Sequence, residues 1–431
     1  MNDVNFLIGN ENIINAPLPT FSGEICEFLN DLSKEIMQSP ESRLYPDLYS
    51  LGFWCRKGNI QKIKENYANS GYRLGKGLCF HIAPSNIPIN FAFSYLFSLL
   101  AGNSNLVRLP SKQFPQVDAL IKILKSVLSR HPGIEKRSAF VKYERNNEIT
   151  EQFSLNADAR MIWGGDKTIE TVRKMKTKPR CVDIAFADRY SVCIINGAKL
   201  LEAGEEKLKR LSQEFYNDTY LMDQNACSSP QLIYWVNDSK EARECFWNAV
   251  YCAAKEKYNL QDAVCVDKFT KLCEDAIDFN CIKEVKHKKN LLYRSELTSI
   301  DENTENLRGK GGYFYEYSLK DLEEFFKIVN EKYQTITYFG IEPEKLAQVI
   351  VAHNLRGIDR IVPIGKAMDI NTIWDGHDLV RELSREIYNK FNKGEVNVFT
   401  KTKNQKYRIS SFYFFDNDYL RSYITIFRIH L

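Results

Sequence analysis

Asp223-Gln224-Asn225-Ala226-Cys227-Ser228-Ser229-Pro230 is the stretch whose reading decides the chain. One cysteine sits among small and amide residues, just before an apolar, strand-like run, Gln231-Leu232-Ile233-Tyr234-Trp235-Val236. The chain has eleven cysteines, and a cysteine is more often a small buried hydrophobe than a nucleophile. The surroundings of Cys227 are not a core pattern. Gln224 and Asn225 offer amide donors, and Ala226 and Ser228 leave room for a substrate carbonyl, as an attacking thiolate requires.

On either side of this turn the rhythm is strand, loop, helix. Leu78–Ala83 reads as a buried strand, Pro84-Ser85-Asn86-Ile87-Pro88 as a loop, and Asn90–Leu100 as a buried helix ending at Gly102. Further strands are expected at Asn105–Leu109, Ala139–Tyr143, Arg160–Trp163, Cys181–Phe186 and Tyr190–Ile195. Val117, Leu120, Ile121, Leu124 and Leu128 share one helical face. Strands alternating with helices imply βαβ units and a largely parallel sheet, an α/β fold. The second half repeats the pattern, with helices around 202–216 and 240–254, a strand at 231–236, and later strands at Gln334–Phe339 and Ile358–Pro363. Residues 1 to about 70 read as mostly helical. The polar run Asp301–Asn306 and the Gly309-Lys310-Gly311-Gly312 that follows read as a surface loop.

Composition narrows the class. With 431 residues, 44% hydrophobic and 26% charged, the chain is a soluble globular protein with room for two or three domains. A net charge of +4 gives no reason to expect a nucleic-acid or membrane surface. The longest apolar stretch, Phe91–Ala101, is far short of the ~20 residues of a membrane span. The start lacks a basic region followed by an apolar one, so no secretory signal is expected. Scattered cysteines with neither CxxC pairs nor metal-ligand spacing point to reduced thiols, a cytoplasmic setting and no metal.

Three other sites could bear chemistry. Asn86 follows a strand, where it either caps the next helix or aims an amide N–H at a substrate oxygen. Gly164-Gly165 opens a helix after a strand; such a turn either closes tightly or lets backbone amides meet a pyrophosphate. It is not a GxGxxG fingerprint. Ser111-Lys112 follows a strand, where charges are usually just solvated; near a nucleotide the pair would reach a ribose or its 2′-phosphate. His81, in an apolar strand, reads as a hydrogen-bonded core residue.

Taken together, His81–Pro88, Ala101–Lys112, Met161–Ile169, Asp223–Pro230 and Gly357–Gly365 resemble the long-chain fatty acyl-CoA reductases, a family that includes the reductase subunit supplying aldehyde to bacterial luciferase. That family in turn resembles the aldehyde dehydrogenase superfamily. The resemblance implies an aldehyde-dehydrogenase-like fold, with a Rossmann-like cofactor domain and an α/β catalytic domain. The expected limits are 1–198 for the N-terminal helices and cofactor domain and 199–365 for the cysteine domain. A segment at 366–395 packs back on the core, and the 396–431 tail has no assigned role. Cys227 is implied as the nucleophile, Asn86 as the oxyanion amide beside the Cys227 N–H, Gly164 and Gly165 as the pyrophosphate turn, and Ser111 and Lys112 as ribose contacts. Aldehyde-oxidising members carry a Glu that activates water; Ala185 stands where that Glu is expected, which favours thioester reduction over oxidation. Lys112 suits a 2′-phosphate and so implies NADPH. The implied reaction is NADPH-dependent reduction of a fatty acyl-CoA to the aldehyde through an acyl-cysteine. The implied partners are an acyl-protein synthetase and further copies of the chain. An acyl-phosphate reductase of the γ-glutamyl-phosphate type and a non-catalytic scaffold are the competing readings.

Overall fold

The computed structural model describes residues 4–68, 71–84 and 87–388; Asn86 and the 396–431 tail lie outside the described residues. The first strands are β1 (Asn5–Ile8), β2 (Tyr72–Gly75), β3 (Leu78–Ile82), β4 (Ser104–Arg108), β5 (Ser138–Lys142), β6 (Ala159–Trp163) and β7 (Val182–Phe186). All but β2 form one sheet in the order β1-β5-β4-β3-β6-β7. The pairs from β5 through β7 are parallel, and β1 joins the edge antiparallel. The order reverses between β3 and β6. In an open α/β sheet such a reversal opens a crevice at the carboxyl ends of the strands. The loop after β3 and the glycine turn after β6 flank it.

Every residue of β3 is buried, as befits a strand covered on both faces. His81, within it, is fully enclosed. Its Nδ1 lies 2.8 Å from Ser94 Oγ and its Nε2 2.9 Å from Asn105 Oδ1, and burial pushes its pKa down to about 4. It is the satisfied core histidine that the sequence suggests.

Helices α1 (Gly23–Gln38), α2 (Asn90–Leu100), α3 (Pro115–Leu128) and α4 (Asp166–Arg173) belong to this half. α2 is apolar all round because it is covered all round; ten of its eleven residues are buried. Phe91 and Tyr95 meet Phe140 edge-on, and Phe93 and Phe97 meet Trp54 in the same way. These four aromatics fill the core, each worth roughly 1.5–3 kcal/mol on burial. The start of the chain is helical as expected, except that β1 adds a strand to the sheet edge.

Seven strands build the second sheet: β8 (Tyr190–Asn196), β9 (Pro230–Val236), β10 (Ile282–Lys288), β11 (Leu292–Leu297), β12 (Tyr313–Ser318), β13 (Tyr333–Phe339) and β14 (Arg360–Pro363). Their order is β10-β11-β12-β9-β8-β13-β14, antiparallel only at β10–β11. Residues 187–189 alone join β7 to β8. Four Cα spacings cover at most about 15 Å, so the carboxyl edge of the first sheet must lie close to the amino edge of the second.

Asn103, just beyond α2, is fully buried and uses its whole amide. Oδ1 accepts from the Lys76 and Gly77 amides (2.7 and 3.1 Å), and Nδ2 donates to the Ser98 and Leu383 carbonyls (3.2 and 2.9 Å). It therefore ties the start of β3 to residues near 383, where Leu379, Val380 and Leu383 enter the core of the first sheet. Asn103→Ala strands those backbone groups and is expected to cost about 2–3 kcal/mol, read as a lower urea midpoint. An unchanged midpoint overturns this account.

Candidate functional site

The Cys227 loop is held in a strained shape. Asp223 and Gln224 both have positive φ (49° and 62°), a region that non-glycine residues avoid at a cost of roughly 1–3 kcal/mol each. Gln224 accounts for the restraint. It is buried; its Nε2 donates to Tyr313 O (2.9 Å) and its Oε1 accepts from Gly312 N (3.2 Å). Gln231 adds a second tie, its Oε1 accepting from Gly309 N (2.9 Å) and its Nε2 donating to Gln224 O (3.1 Å).

Two expectations change here. Gly309-Lys310-Gly311-Gly312 is not a surface loop, since its three glycines are buried, Gly309 and Gly312 donating their amides to Gln231 and Gln224 and Gly311 donating to the Asp223 carbonyl. Gly312, at φ +89°, would put a Cβ 2.4 Å from Leu291 O, so the close approach demands glycine. Gln224 does not face a substrate, because its amide is spent on the backbone.

Cys227 itself is partly exposed. Its carbonyl accepts from Ser191 Oγ (2.6 Å), and its sulfur faces Gln334 Nε2 at 3.5 Å. Registry explains the meeting. Ser191 pairs with Pro230 at the start of β8 and β9, and Tyr333 pairs with Tyr190 at the start of β13. Three neighbouring strands thus begin side by side, and their second residues surround the Cys227 loop.

Burial pushes the Cys227 thiol up to about 11, and the Asp375 carboxylate adds to the rise. Gln334, Arg360 and the Ser228 amide pull the other way. Arg360 lies over the Trp374 ring (4.7 Å) and donates to the carbonyls of Ala367 (2.9 Å) and Asp369 (3.0 Å). Behind the loop, Asp218 accepts from the amides of Gly365 (2.6 Å) and Ala367 (3.0 Å), and burial pushes its carboxyl up to about 7. Burial likewise pushes Asp375 up to about 6.

Gly164 and Gly165 lie where β6 turns into α4. A Cβ at Gly164 would press on Thr168 at 3.1 Å, whereas one at Gly165 would meet nothing within 4 Å. The first amides of α4 have no side-chain cap. An uncapped helix start beside open space suits an anionic group such as a cofactor's pyrophosphate. A run of packed groups leads from this turn toward the cysteine: Gly164 N donates to Phe186 O (3.2 Å), Phe186 stacks on Trp163 (3.7 Å) and meets His377 edge-on (5.9 Å). His377 lies two residues from Asp375, which reaches Gln334 and through it Cys227. Ser111 and Lys112 are exposed after β4, at the same carboxyl edge, with the Lys112 Nζ 5.3 Å from the Phe114 ring. Nothing among the described residues joins that pair to Cys227. Asn86, on the loop after β3, is not described.

Gln334, Asp375, Arg189 and Arg360 were not singled out from the sequence. A glutamine opening an otherwise apolar and threonine-rich strand was the one local signal for Gln334. Asp375 in Trp374-Asp375-Gly376 carries no local signal, since Asp-Gly marks any turn.

Comparisons with known proteins bear on the fold and the family that the chain resembles. Residues 58–262 match the family described as acyl-CoA reductase (LuxC). The long-chain acyl-protein thioester reductase of Aliivibrio fischeri is 26% identical over 166 residues, 38% of this chain and 33% of that protein. Its namesake in Vibrio harveyi is 24% identical over 343 residues, 76% of this chain and 66% of that protein. The chain therefore spans about a third to two thirds of the curated relatives it matches. Among solved structures, the benzaldehyde dehydrogenase of Corynebacterium glutamicum superposes with a TM-score of 0.55 at 12% identity, covering 84% of this chain and 82% of that one. The lactaldehyde dehydrogenase of Escherichia coli gives 0.55 at 13%, covering 85% and 86%. The chain has the aldehyde dehydrogenase fold, and its residues 58–262 are similar to the acyl-CoA reductase (LuxC) family.

Proposed function

We propose that this chain reduces a fatty acyl thioester to the aldehyde, with Cys227 carrying the acyl group between the two half-reactions. The observation that carries the reading is the partly exposed Cys227, set at the amino edge of the second sheet where that edge meets the carboxyl edge of the first. The name of the relatives, long-chain acyl-protein thioester reductase, supports the same substrate class.

In this reading the Cys227 thiolate attacks the thioester carbonyl. The Cys227 backbone N–H and the Asn86 amide receive the developing oxyanion, and one such donor typically accounts for about 10²–10³ in rate. The carrier thiol leaves as it takes up a proton, and the acyl chain stays on sulfur. A bound nicotinamide cofactor supplies the hydride that reduces the acyl carbon. Gly164, Gly165 and the first amides of α4 are the groups suited to its pyrophosphate, and Ser111 and Lys112 to its adenosine ribose. Ala185 leaves no carboxylate to activate water, so the acyl-cysteine is spared hydrolysis. Lys112 favours a 2′-phosphate and hence NADPH. The acyl donor is proposed to be the CoA ester, with an acyl-carrying protein as the other thioester that fits.

Three outcomes follow. Incubation with a long-chain acyl-CoA, or with the same chain on a carrier protein, should add the acyl mass to the Cys227 peptide, and Cys227→Ala should lose both this label and aldehyde formation. A labelled Cys227→Ala protein overturns the assignment. Lys112→Glu should shift the NADPH-to-NADH ratio of kcat/KM about tenfold toward NADH, the scale of one charge-assisted contact; an unchanged ratio removes the basis for NADPH. In the free protein, alkylation of Cys227 by iodoacetamide should still be rising at pH 10, since thiolate forms only as pH approaches about 11. A plateau by pH 9 contradicts the buried setting of the thiol.

A further inference from the structure

Gln334 has no exposed surface, and every polar atom of its amide is used. Oε1 accepts from Thr335 Oγ1 (3.3 Å). Nε2 has two hydrogens and faces two acceptors that belong to the site, Cys227 Sγ at 3.5 Å and Asp375 Oδ1. A carboxylate can only accept, so an amide turned the other way would set its oxygen against Asp375. The carboxylate therefore fixes which end of Gln334 meets the sulfur.

Asp375 is itself held firmly. It is 6% exposed, takes a left-handed conformation (φ 48°), and is followed by Gly376 at φ 75°. Its second oxygen, Oδ2, lies 3.8 Å from Arg189 Nε, which among the described residues has no hydrogen-bond partner of its own. Arg189 is anchored in turn through Nη1 to the Glu331 carbonyl, and its Nη2 lies 4.0 Å from Asp359. A strained backbone, an enclosed carboxylate and a half-buried guanidinium thus converge on one amide. Both Gln334 and Asp375 lie beyond residue 262, where the family match ends.

We infer that Gln334 is the side-chain donor that stabilises negative charge on the Cys227 sulfur, and that Asp375 is the positioning residue that keeps its N–H aimed there. The inference rests on Cys227 being the nucleophile. The same donor serves when the thiol first ionises and when the thiolate is released from the reduced acyl group. Asp375 has a second, opposing action, since its charge raises the thiol pKa through space. Any test must therefore separate charge from orientation.

The test is the rate at which iodoacetamide alkylates Cys227 at pH 9, read by mass spectrometry of its peptide. Gln334→Met keeps the length and loses the donor, and its alkylation should slow about tenfold, the scale of a hydrogen bond to a charged group. Asp375→Asn and Asp375→Leu remove the same charge, but only Asn can still accept from Gln334. Asp375→Asn should therefore alkylate several-fold faster than Asp375→Leu, and the gap should vanish when Gln334→Met is added to each. Equal rates for wild type and Gln334→Met overturn the donor, and equal rates for the two Asp375 variants overturn the positioning role. If Gln334→Met does not fold, the Asp375 pair still decides. Wild-type acylation by acyl-CoA is read alongside. No acyl group on Cys227 sinks the proposed function, whereas acylation with flat alkylation rates sinks only this inference.

Discussion

Ala187, Asp188 and Arg189 are all that separate the last strand of one sheet from the first strand of the next. A connection this short admits little freedom. It brings two edges of opposite polarity together, the carboxyl ends of one parallel sheet and the amino ends of another. At the first edge the strand order reverses, the place where open α/β sheets form a crevice. At the second, β8, β9 and β13 start in register, so the residues that begin them crowd around one loop. Arg189 is itself part of the joint and pairs with Asp375, so the link between the sheets is also a wall of the site.

The loop that carries Cys227 is rigid for a different reason. Its left-handed residues are costly, and the cost is offset by hydrogen bonds from Gln224 and Gln231 to the buried glycine turn that precedes β12. A side chain on a flexible loop would have to be ordered each time it met a ligand; here the ordering of Cys227 is completed on folding. Asp218 performs the same service on the other side, gripping the turn after β14 by two backbone amides.

The sequence conveyed the first sheet well because its strands are continuous apolar runs and its helices show a clear face. β3 and α2 are the plainest cases. It drew attention to Cys227 because amide and small residues around a thiol are an unusual local context. It was misleading where identity and environment diverge. Gln224 looks like a donor for substrate, yet its amide is consumed by Tyr313 and Gly312. The glycines at 309–312 look like a solvent loop, yet they are glycines because the backbone packs too closely for a Cβ. β10 was not anticipated, since Ile282-Lys283-Glu284-Val285-Lys286-His287-Lys288 reads as solvated charge; it is an edge strand, where such residues belong. Gln334 and Asp375 lie 107 and 148 positions beyond Cys227, counted from their residue numbers, and only the registry of β13 and the return of the chain bring them to it.

The raised pKa of Cys227 also bears on how the thiol meets oxidants. Peroxides and other oxidants attack thiolates far faster than thiols. A thiol pushed up to about 11 is almost wholly protonated near neutral pH and so forms sulfenic acid slowly. The surroundings that make Cys227 slow to ionise thereby also favour its reduced form, although the residue is partly open to solvent.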